Sequence, residues 1–363
     1  MTQTNRPNIV ELFVQTSHTL REVMNRLDAT RQGIALVVDA ERRLIGTITD
    51  GDMRRAVLAR TDLDRQTVTD LLERKRSSPF PQPMTAPAGQ DLNAYLRLLK
   101  AHRLQHLPLL DGEGRVVDLM RTDDFVPEEI PSLKAVIMAG GLGTRLRPLT
   151  LDLPKTMLPV ADRPLMEIII GQLRQAGIRR VHVTTHHQPH KISEHFGDGQ
   201  GFGVELAYMT EDRPLGTAGA LGLMEQAEDT LLVINGDILT QVDFRAMLAY
   251  HREHQADLTV AVRHYDVKIP YGVVECDGPA VRRLSEKPVV GFFVNAGIYL
   301  LEPSVLRHIP KGERFDMTEL IQRLLDEKRP VVSFPVREYW LDIGEHAEYQ
   351  QAGQDAREGK VHL

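Results

Sequence analysis

The chain has 363 residues, of which 42% are hydrophobic, and its formal net charge is −6. That length suits two or three domains. The mildly acidic balance gives no reason to expect non-specific binding to nucleic acid or to a membrane surface. Cys276 is the only cysteine, so no disulfide can form within the chain. The N-terminus lacks a signal-peptide pattern and no apolar run reaches the roughly 20 residues of a membrane span, so we expect a cytoplasmic protein.

The first third of the chain contains a weak internal repeat with a period of about 70 residues. In each copy a helical stretch is followed by a strand, a turn and a second strand. Each copy is too small to bury a full core, so we expect the two copies to pack together. The matching elements are the helices Leu20–Ala29 and Leu92–His102 and the strands Gly33–Val38 and Leu107–Leu110. We place the first copy at residues 1–65 and the second at residues 66–127.

This repeat resembles a pair of cystathionine-β-synthase-type (CBS) domains, which are β-α-β-β-α modules. The resemblance implies AMP or ATP as a regulatory ligand, and a homodimer or higher homo-oligomer as the assembly. It places Thr49 and Asp52 at the position that binds ribose hydroxyls, with Asp124 as the equivalent of Asp52 in the second copy. Arg121 stands there in place of the threonine. A second interpretation of equal weight is that Thr49 and Asp52 cap the helix that starts near Met53.

A second domain is expected after a linker at residues 128–133, which contains two glutamates and a proline. From residue 134 to residue 363, strand-like runs alternate with helical runs. The strands Val136–Met138 and Val181–Thr185 flank the helical stretch Leu165–Ala176, for example. This alternation predicts an α/β domain built on a mainly parallel, mixed sheet.

A glycine-rich loop follows the first of these strands. Glycines lack a Cβ atom and let backbone amides approach a ligand closely, and successive amides can form a concavity that binds anions. Arg145 and Lys155 add a planar donor and a point charge behind the loop. Neither the Walker P-loop nor the dinucleotide fingerprint fits this spacing, so we expect a polyphosphate site of another kind. The glycines are Gly140, Gly141 and Gly143.

The stretch GGLGTRLRPLT, followed by PK, resembles the signature of the sugar-1-phosphate nucleotidyltransferases, and the likeness continues to about Gly353. The resemblance implies a Rossmann-like nucleotide-diphospho-sugar transferase fold. It also implies that a nucleoside triphosphate and a sugar 1-phosphate are joined with release of pyrophosphate. By this resemblance, catalysis falls to Arg145, Lys155, Asp237 and Lys287, nucleotide binding to Gly140, Gly141, Gly143, Thr144, Glu211, Gly216 and Thr217, and sugar binding to Gly272, Glu286 and Asn295.

Two aspartates are candidates for a magnesium site. Asp237 ends a buried strand, where α/β sheets place their functional residues, and Asp342 lies near the C-terminus. Two carboxylates, phosphate oxygens and waters make an oxygen-only shell that suits Mg²⁺. Both aspartates match the metal-binding acids of the family, although either one alone would often be a cap or turn residue. A second group, the histidines His186, His187 and His190, fits a solvated loop better than a metal site.

Glu211 bears on the choice of nucleotide. A carboxylate can only accept hydrogen bonds, and guanine presents two adjacent donors that it could hold as a bidentate pair. We therefore expect a guanylyltransferase that uses GTP. The alternatives are a uridylyl- or cytidylyltransferase, or a regulator that binds nucleotides without turnover. Glu211 could also face solvent or pair with Arg213. Resemblance to CBS-fused members suggests glucosamine 1-phosphate or mannose 1-phosphate as the sugar, and no single residue decides between them.

Overall fold

The computed structural model describes residues 8–76, 81–102, 104–121, 133–224 and 228–361, apart from the side chain of Asn93. These residues form two units, and the boundary between the units lies between residues 129 and 130. The two units are described separately. Asp124 and most of the predicted linker at 128–133 lie outside the described residues.

The N-terminal unit realises the predicted repeat as two small sheets of the same design. In each sheet the central strand pairs in parallel with a short first strand and in antiparallel fashion with the strand after it. The elements of the first copy are β1 (Phe13–Val14), α1 (Leu20–Thr30), β2 (Ile34–Val38), β3 (Leu44–Thr49) and α2 (Asp50–Leu58). After α3 (Val68–Lys75), the second copy has β4 (Ala86–Pro87), α4 (Leu92–Ala101), β5 (His106–Leu110) and β6 (Val116–Arg121).

The two copies also share the chemistry of their turns. Asp39 Oδ1 accepts hydrogen bonds from the amides of Glu41 and Arg43, at 3.0 and 2.7 Å. Asp111 Oδ1 accepts from Glu113 and Arg115 in the same way, both at 2.9 Å. An antiparallel bridge between Arg43 and Arg115 joins the two turns. A side-chain oxygen that satisfies backbone donors in this way is a common turn device, and it recurs at the matching turn of each copy.

The copies pack together through a shared core. Leu12, Leu36 and Val116 belong to one buried cluster that draws on both copies, and each copy also buries a cluster of its own. Helix α3 lies beyond the boundary that we placed after residue 65. Its residues Val68 and Leu71 nevertheless pack into the core of the first copy. The first core therefore extends to at least Leu71, because an apolar helix face must be buried against its nearest core.

The C-terminal unit is built on a seven-stranded sheet with the order β11-β10-β7-β12-β17-β14-β18. Four of its six pairings are parallel and two, on either side of β17, are antiparallel, which confirms the mainly parallel mixed sheet. The strands are β7 (Leu133–Met138), β10 (Arg180–Thr185), β11 (Glu205–Thr210), β12 (Thr230–Asn235), β14 (Leu258–Lys268), β17 (Val289–Leu301) and β18 (Val331–Val336).

Helices cover both faces of this sheet, as expected for strands that are buried on both sides. One buried cluster contains residues from α5, α6, α8 and α10, and the other contains residues from α7 and α9. The helices are α5 (Leu165–Gln175), α6 (Pro189–Phe196), α7 (Gly216–Gly219), α8 (Phe244–Glu253), α9 (Met317–Asp326) and α10 (His346–Arg357). No helix in the described ranges is both long enough and apolar enough to cross a bilayer.

Three two-stranded ribbons complete the unit. The pair β13–β19 matters most, because it connects the middle of the sequence to its C-terminal part. Short hydrogen bonds hold the pair against the sheet, such as the one from the Trp340 indole to the Ala296 carbonyl at 2.8 Å. The ribbons are β8 (Pro159–Val160) with β9 (Arg163–Pro164), β13 (Ile238–Thr240) with β19 (Trp340–Asp342), and β15 (Val273–Asp277) with β16 (Ala280–Ser285).

Candidate active site

The predicted polar residues gather at one edge of the seven-stranded sheet. The strands β11, β10, β7 and β12 are parallel and adjacent, and Met138 is level with both Thr184 and Asn235. The glycine loop, Glu211 and Asp237 each follow one of these strands directly. Because the carboxyl ends of parallel strands share an edge, residues far apart in the sequence lie close together there.

The glycine loop is held open by its own packing. Gly143 has φ +61°, and a Cβ there would lie 2.9 Å from Thr150 Cγ2. The Thr150 hydroxyl donates to the Gly143 carbonyl at 2.7 Å and fixes the turn. At Gly141 a Cβ would meet no atom within 4 Å, so this part of the backbone faces open space. The loop thus has the exposed backbone that an anion-binding cradle needs. Thr144 follows, as the first residue of a short 3-10 turn, Thr144–Leu146.

Asp237 and Asp342 are brought together by the β13–β19 ribbon. Ile238 is the direct partner of Asp342, and the Ile343 amide donates to the Asp237 carbonyl at 3.0 Å. Burial raises the pKa of the Asp342 carboxyl, and the charge of Asp237 raises it further. The two carboxylates therefore lie close enough to repel each other, as expected of acids that share a site.

The donor set fits a hard divalent cation. Asp237 Oδ1 is buried and accepts no hydrogen bond from any described residue, although a buried acceptor normally has a partner. Within the described ranges, no group of three or more histidine, cysteine, aspartate or glutamate side chains is placed to hold a metal. The protein would therefore supply two carboxylates and leave the other positions to phosphate oxygens and water, which is the usual arrangement for Mg²⁺.

The two cations behind the loop have different environments. Lys155 Nζ lies 2.6 Å from Asp237 Oδ2, and both side chains are mostly buried, with 15% and 27% of their surfaces exposed. Arg145 is exposed and lies close enough to Asp342 for its charge to oppose the rise in the pKa of that carboxyl. Lys155 is thus already paired with an acid, whereas Arg145 is turned to the open side of the site.

Glu211 is buried beneath the glycine loop. Its side chain is 6% exposed, and its Oε2 accepts from the Leu215 amide at 2.8 Å. Burial raises the pKa of this carboxyl. A Cβ at Gly140 would overlap Glu211 Oε1, so only glycine fits there. Glu211 neither faces solvent nor pairs with Arg213, and both of those alternatives are wrong.

Gly216 and Thr217 make their close contacts with the protein itself. A Cβ at Gly216 would lie 2.8 Å from the Phe315 carbonyl. The Thr217 amide donates to Asp316 Oδ1 at 3.0 Å, and its hydroxyl accepts from the Met317 amide at 2.8 Å. These residues hold the start of α9 against the loop after Glu211. The close approach that the glycine permits is thus to neighbouring backbone, and a nucleotide contact at Gly216 and Thr217 remains a prediction.

The predicted sugar-binding residues fall into two places on the same unit. Gly272 and Glu286 lie together at the base of the β15–β16 ribbon, where a Cβ on Gly272 would be 3.1 Å from Glu286 Oε2. Lys287 is next to them, exposed, with φ +43° and no ion pair to a described residue. Asn295 lies on β17 and accepts from the Gly297 amide at 3.0 Å.

Three residues that the sequence did not single out support these side chains. Tyr299 lies near Asn295, and burial raises the pKa of its hydroxyl to about 12. Thr156 packs against Gly236, where a Cβ would lie 2.5 Å from Thr156 Cγ2. Asn235 lies beside Gly297 in the same way. No simple spacing in the sequence marks Tyr299, because β17 is irregular between Asn295 and Tyr299, where Gly297 has φ +70°.

The predicted ribose site of the N-terminal unit is already filled by side chains. Thr49 and Asp52 form a capping box at the start of α2. Asp52 also pairs with Lys75 and with Arg55, each at 2.8 Å, and only 7% of its side chain is exposed. These contacts hold the pKa of Asp52 below its ordinary value despite burial. The capping interpretation is therefore confirmed, and the carboxylate has a second, structural use as the partner of Lys75.

Comparison with known families gives the geometry a context. Residues 134–359 match the family model described as Nucleotidyl transferase, which is more than half of the chain. The chain belongs to the nucleotidyl transferase family. Residues 6–59 match the CBS domain, so this nucleotidyl transferase carries a CBS domain at its N-terminus.

Several relatives have names that refer to sugar phosphates. A UTP–glucose-1-phosphate uridylyltransferase from Synechocystis sp. is 34% identical over 61% of the chain and 62% of its own length. A mannose-1-phosphate guanylyltransferase from Mycobacterium tuberculosis is 33% identical over 62% of the chain and 65% of its own length. A mannose-1-phosphate guanyltransferase from Candida albicans is 33% identical over 60% and 62%. The nucleotidyl transferase thus covers less than two thirds of each of these relatives.

Solved structures agree on the fold. A Bacillus anthracis protein described as a glucose-1-phosphate thymidylyltransferase has a TM-score of 0.53 and 27% identity, over 64% of this chain and 97% of that one. HddC from Yersinia pseudotuberculosis has a TM-score of 0.50 and 24% identity, over 61% and 99%. The nucleotidyl transferase therefore shares its α/β architecture with these two proteins.

Proposed function

We propose that the protein is an enzyme that joins a nucleoside triphosphate to a sugar 1-phosphate and releases pyrophosphate. The observation that carries the proposal is the pair of aspartates beside an open glycine loop: Asp342 lies on β19, and Asp237 immediately precedes β13, the strand that pairs with β19. The glycine loop alone would serve a non-catalytic nucleotide binder. Two carboxylates that repel each other, one of them paired with Lys155, fit a nucleotidyl transfer reaction better.

The proposed reaction is a single in-line displacement at the α-phosphorus. The attacking oxygen of the sugar 1-phosphate is ionised at neutral pH, so no general base is required. The obstacle is repulsion between two polyanions, and the protein contributes positioning and compensation of charge. Arg145 steadies the β- and γ-phosphates and the departing pyrophosphate. Lys287 and Lys155 hold the attacking phosphate, and Lys287 does so most directly because it has no acid partner in the described chain.

Asp237 and Asp342 would hold a Mg²⁺ ion, which supplies charge neutralisation on the phosphate oxygens when it is bound. The buried Oδ1 of Asp237 is the ligand atom most clearly without another use. The chain contributes only these two ligands, so the affinity of the metal depends on the substrates that complete its shell.

We propose GTP as the nucleotide. The relatives named guanylyltransferases support this choice, and the uridylyltransferase relative makes UTP the second candidate. Glu211 supports it chemically, since a buried carboxylate beside the glycine loop suits the two donors of guanine. The substitution Glu211→Gln is expected to shift the preference from GTP toward UTP. If turnover falls equally with all four nucleotides, Glu211 only holds the loop through Leu215.

A hexose or hexosamine 1-phosphate is the proposed acceptor. Glu286 can accept from sugar hydroxyls, and Asn295 can both donate and accept. The relatives are named for glucose 1-phosphate and mannose 1-phosphate, which makes these two, with glucosamine 1-phosphate, the first compounds to try.

The N-terminal unit is proposed to bind AMP or ATP and to regulate turnover. A ribose at the first copy would have to displace Lys75 and Arg55 from Asp52. We therefore expect Lys75→Met, which removes one of the two cations that hold Asp52, to bind AMP more tightly than the wild type. A homodimer formed through paired CBS modules, and the cytoplasm as location, remain expectations.

The test is a screen of four nucleoside triphosphates against several sugar 1-phosphates with Mg²⁺, followed by release of pyrophosphate, with and without AMP or ATP. We expect release with at least one pair, and loss of most of it in Asp237→Asn. Asp229→Asn is the matched control, because Asp229 pairs with Arg180 and Lys134 at the other end of the sheet. Release with no pair would favour the non-catalytic regulator.

A further inference from the structure

Lys155, which is proposed to hold phosphate, is paired with a carboxylate in the free protein. Lys155 Nζ donates to Asp237 Oδ2 at 2.6 Å, and the two side chains are only 15% and 27% exposed. An ion pair with this little exposure is poorly screened by water and salt, so its charges act strongly on anything placed beside them.

The charges around this pair leave little for a cation to neutralise. Asp237 and Asp342 carry two negative charges, and Lys155 and Arg145 both act on Asp342 with the opposite sign. Glu348 is the further acid that acts on Asp342. Lys155 is in direct contact with an acid, whereas Arg145 is exposed. Lys155 is therefore the principal counter-ion of the acid pair in the free protein.

The two oxygens of Asp237 have separate environments. Oδ2 is taken by Lys155, whereas Oδ1 is buried without a donor from the described chain. A divalent cation bound to Oδ1 would share one carboxylate with an ammonium group. Two cations on one carboxylate repel each other, and the repulsion is largest where water is scarce.

We propose that Lys155 keeps the acid pair neutralised in the free enzyme and opposes the binding of a divalent cation until the substrates arrive. The inference rests on the proposed function, since the phosphates of the bound substrates would draw Lys155 from Asp237. Lys155 then turns to the phosphate and Asp237 to the metal. Metal and nucleotide binding are thereby coupled, because each removes an obstacle to the other.

The test measures the binding of Mn²⁺ to the full chain by electron paramagnetic resonance, with neither nucleotide nor sugar phosphate present. In Lys155→Met the ammonium is lost, and Mn²⁺ should bind about tenfold or more tightly than in the wild type. Lys155→Arg keeps the charge and should bind as weakly as the wild type. Lys155→Gln provides a second neutral variant in case methionine at this position prevents folding.

Lys134→Met is the matched control. Lys134 pairs with Asp229 at 3.6 Å and is 19% exposed, so the substitution removes a similarly buried lysine from the amino end of β7. Its affinity for Mn²⁺ should equal that of the wild type. A rise in both lysine variants would show a general effect of net charge and would overturn the proposal.

Equal or weaker Mn²⁺ binding in the neutral variants at position 155 would also overturn it. So would the absence of Mn²⁺ binding from every form of the protein. The proposed function is judged separately, by pyrophosphate release from the wild type with Mg²⁺. A wild type that turns over while Lys155→Met binds Mn²⁺ no better retains its function and loses this explanation.

Discussion

The substitution Gly297→Ala should destabilise the C-terminal unit and disturb the active site together. Gly297 has φ +70°, and a Cβ there would lie 2.7 Å from Asn235 Nδ2 and 3.3 Å from Ile238 Cγ1. The left-handed backbone costs a non-glycine residue about 1–2 kcal/mol, and forcing a methyl group into a packed site costs about 1–3 kcal/mol. We expect a total loss of about 3 kcal/mol in the free energy of unfolding.

The assay is thermal unfolding followed by calorimetry. For a unit of this size each kcal/mol changes the melting temperature by about 2–4 °C, so the expected fall is about 6–12 °C. Turnover should fall as well, because Asn235 must move and it lies two residues before Asp237.

Gly353→Ala is the matched control, since Gly353 lies within α10 and a Cβ there meets nothing within 4 Å. Alanine is better than glycine inside a helix by about 1 kcal/mol, so this variant should melt a few degrees above the wild type. If Gly297→Ala melts as the wild type does, the contact with Asn235 is not as close as described and the reasoning fails.

Three further predictions concern charge. Lys287→Ala should raise KM for the sugar 1-phosphate tenfold or more, since a hydrogen bond to a charged group contributes about 1.5–3 kcal/mol; an equal rise in KM for the nucleotide would contradict its role. Asp342→Asn should raise the melting temperature of the metal-free protein while turnover falls, because it removes a carboxylate whose ionised form burial and Asp237 disfavour; a lower melting temperature would contradict this. His251 is buried between the Thr259 hydroxyl and Glu302, and burial lowers its pKa. It is therefore neutral in the fold, and stability should fall as pH drops below about 6.5. His251→Gln should flatten denaturant-measured stability over that range, and an unchanged profile would refute the assignment.

The architecture was predictable because it depends on local patterns. Apolar runs such as Leu133–Met138 and the helical spacing within Leu165–Gln175 both appear as expected. The repeat was readable from its turns, since Asp39 and Asp111 make the same hydrogen bonds. The sequence pattern did not predict which core buries α3, because nothing in an amphipathic helix shows which of two adjacent cores it will pack against.

The pairing of side chains was not predictable. Lys75 reaches Asp52, and Lys155 reaches Asp237, across stretches of chain whose path only the fold decides. The sequence marked Glu211 as informative. Its hydrogen bond with the Leu215 amide, and the overlap that a Cβ at Gly140 would have with its carboxylate, depend on how two loops meet. A motif thus identified the residue types, whereas the partner that each residue holds in the folded state came from tertiary contacts.

The β13–β19 ribbon has a consequence for how the protein becomes active during synthesis. Its two strands are about a hundred residues apart in the sequence, so β19 is synthesised well after β13. A growing chain can form much of the sheet early, yet it has no complete acid pair until Asp342 has left the ribosome and β19 has joined β13. Contacts between such distant segments are slow to form, so the docking of β19 onto β13 completes the proposed acid pair late in folding.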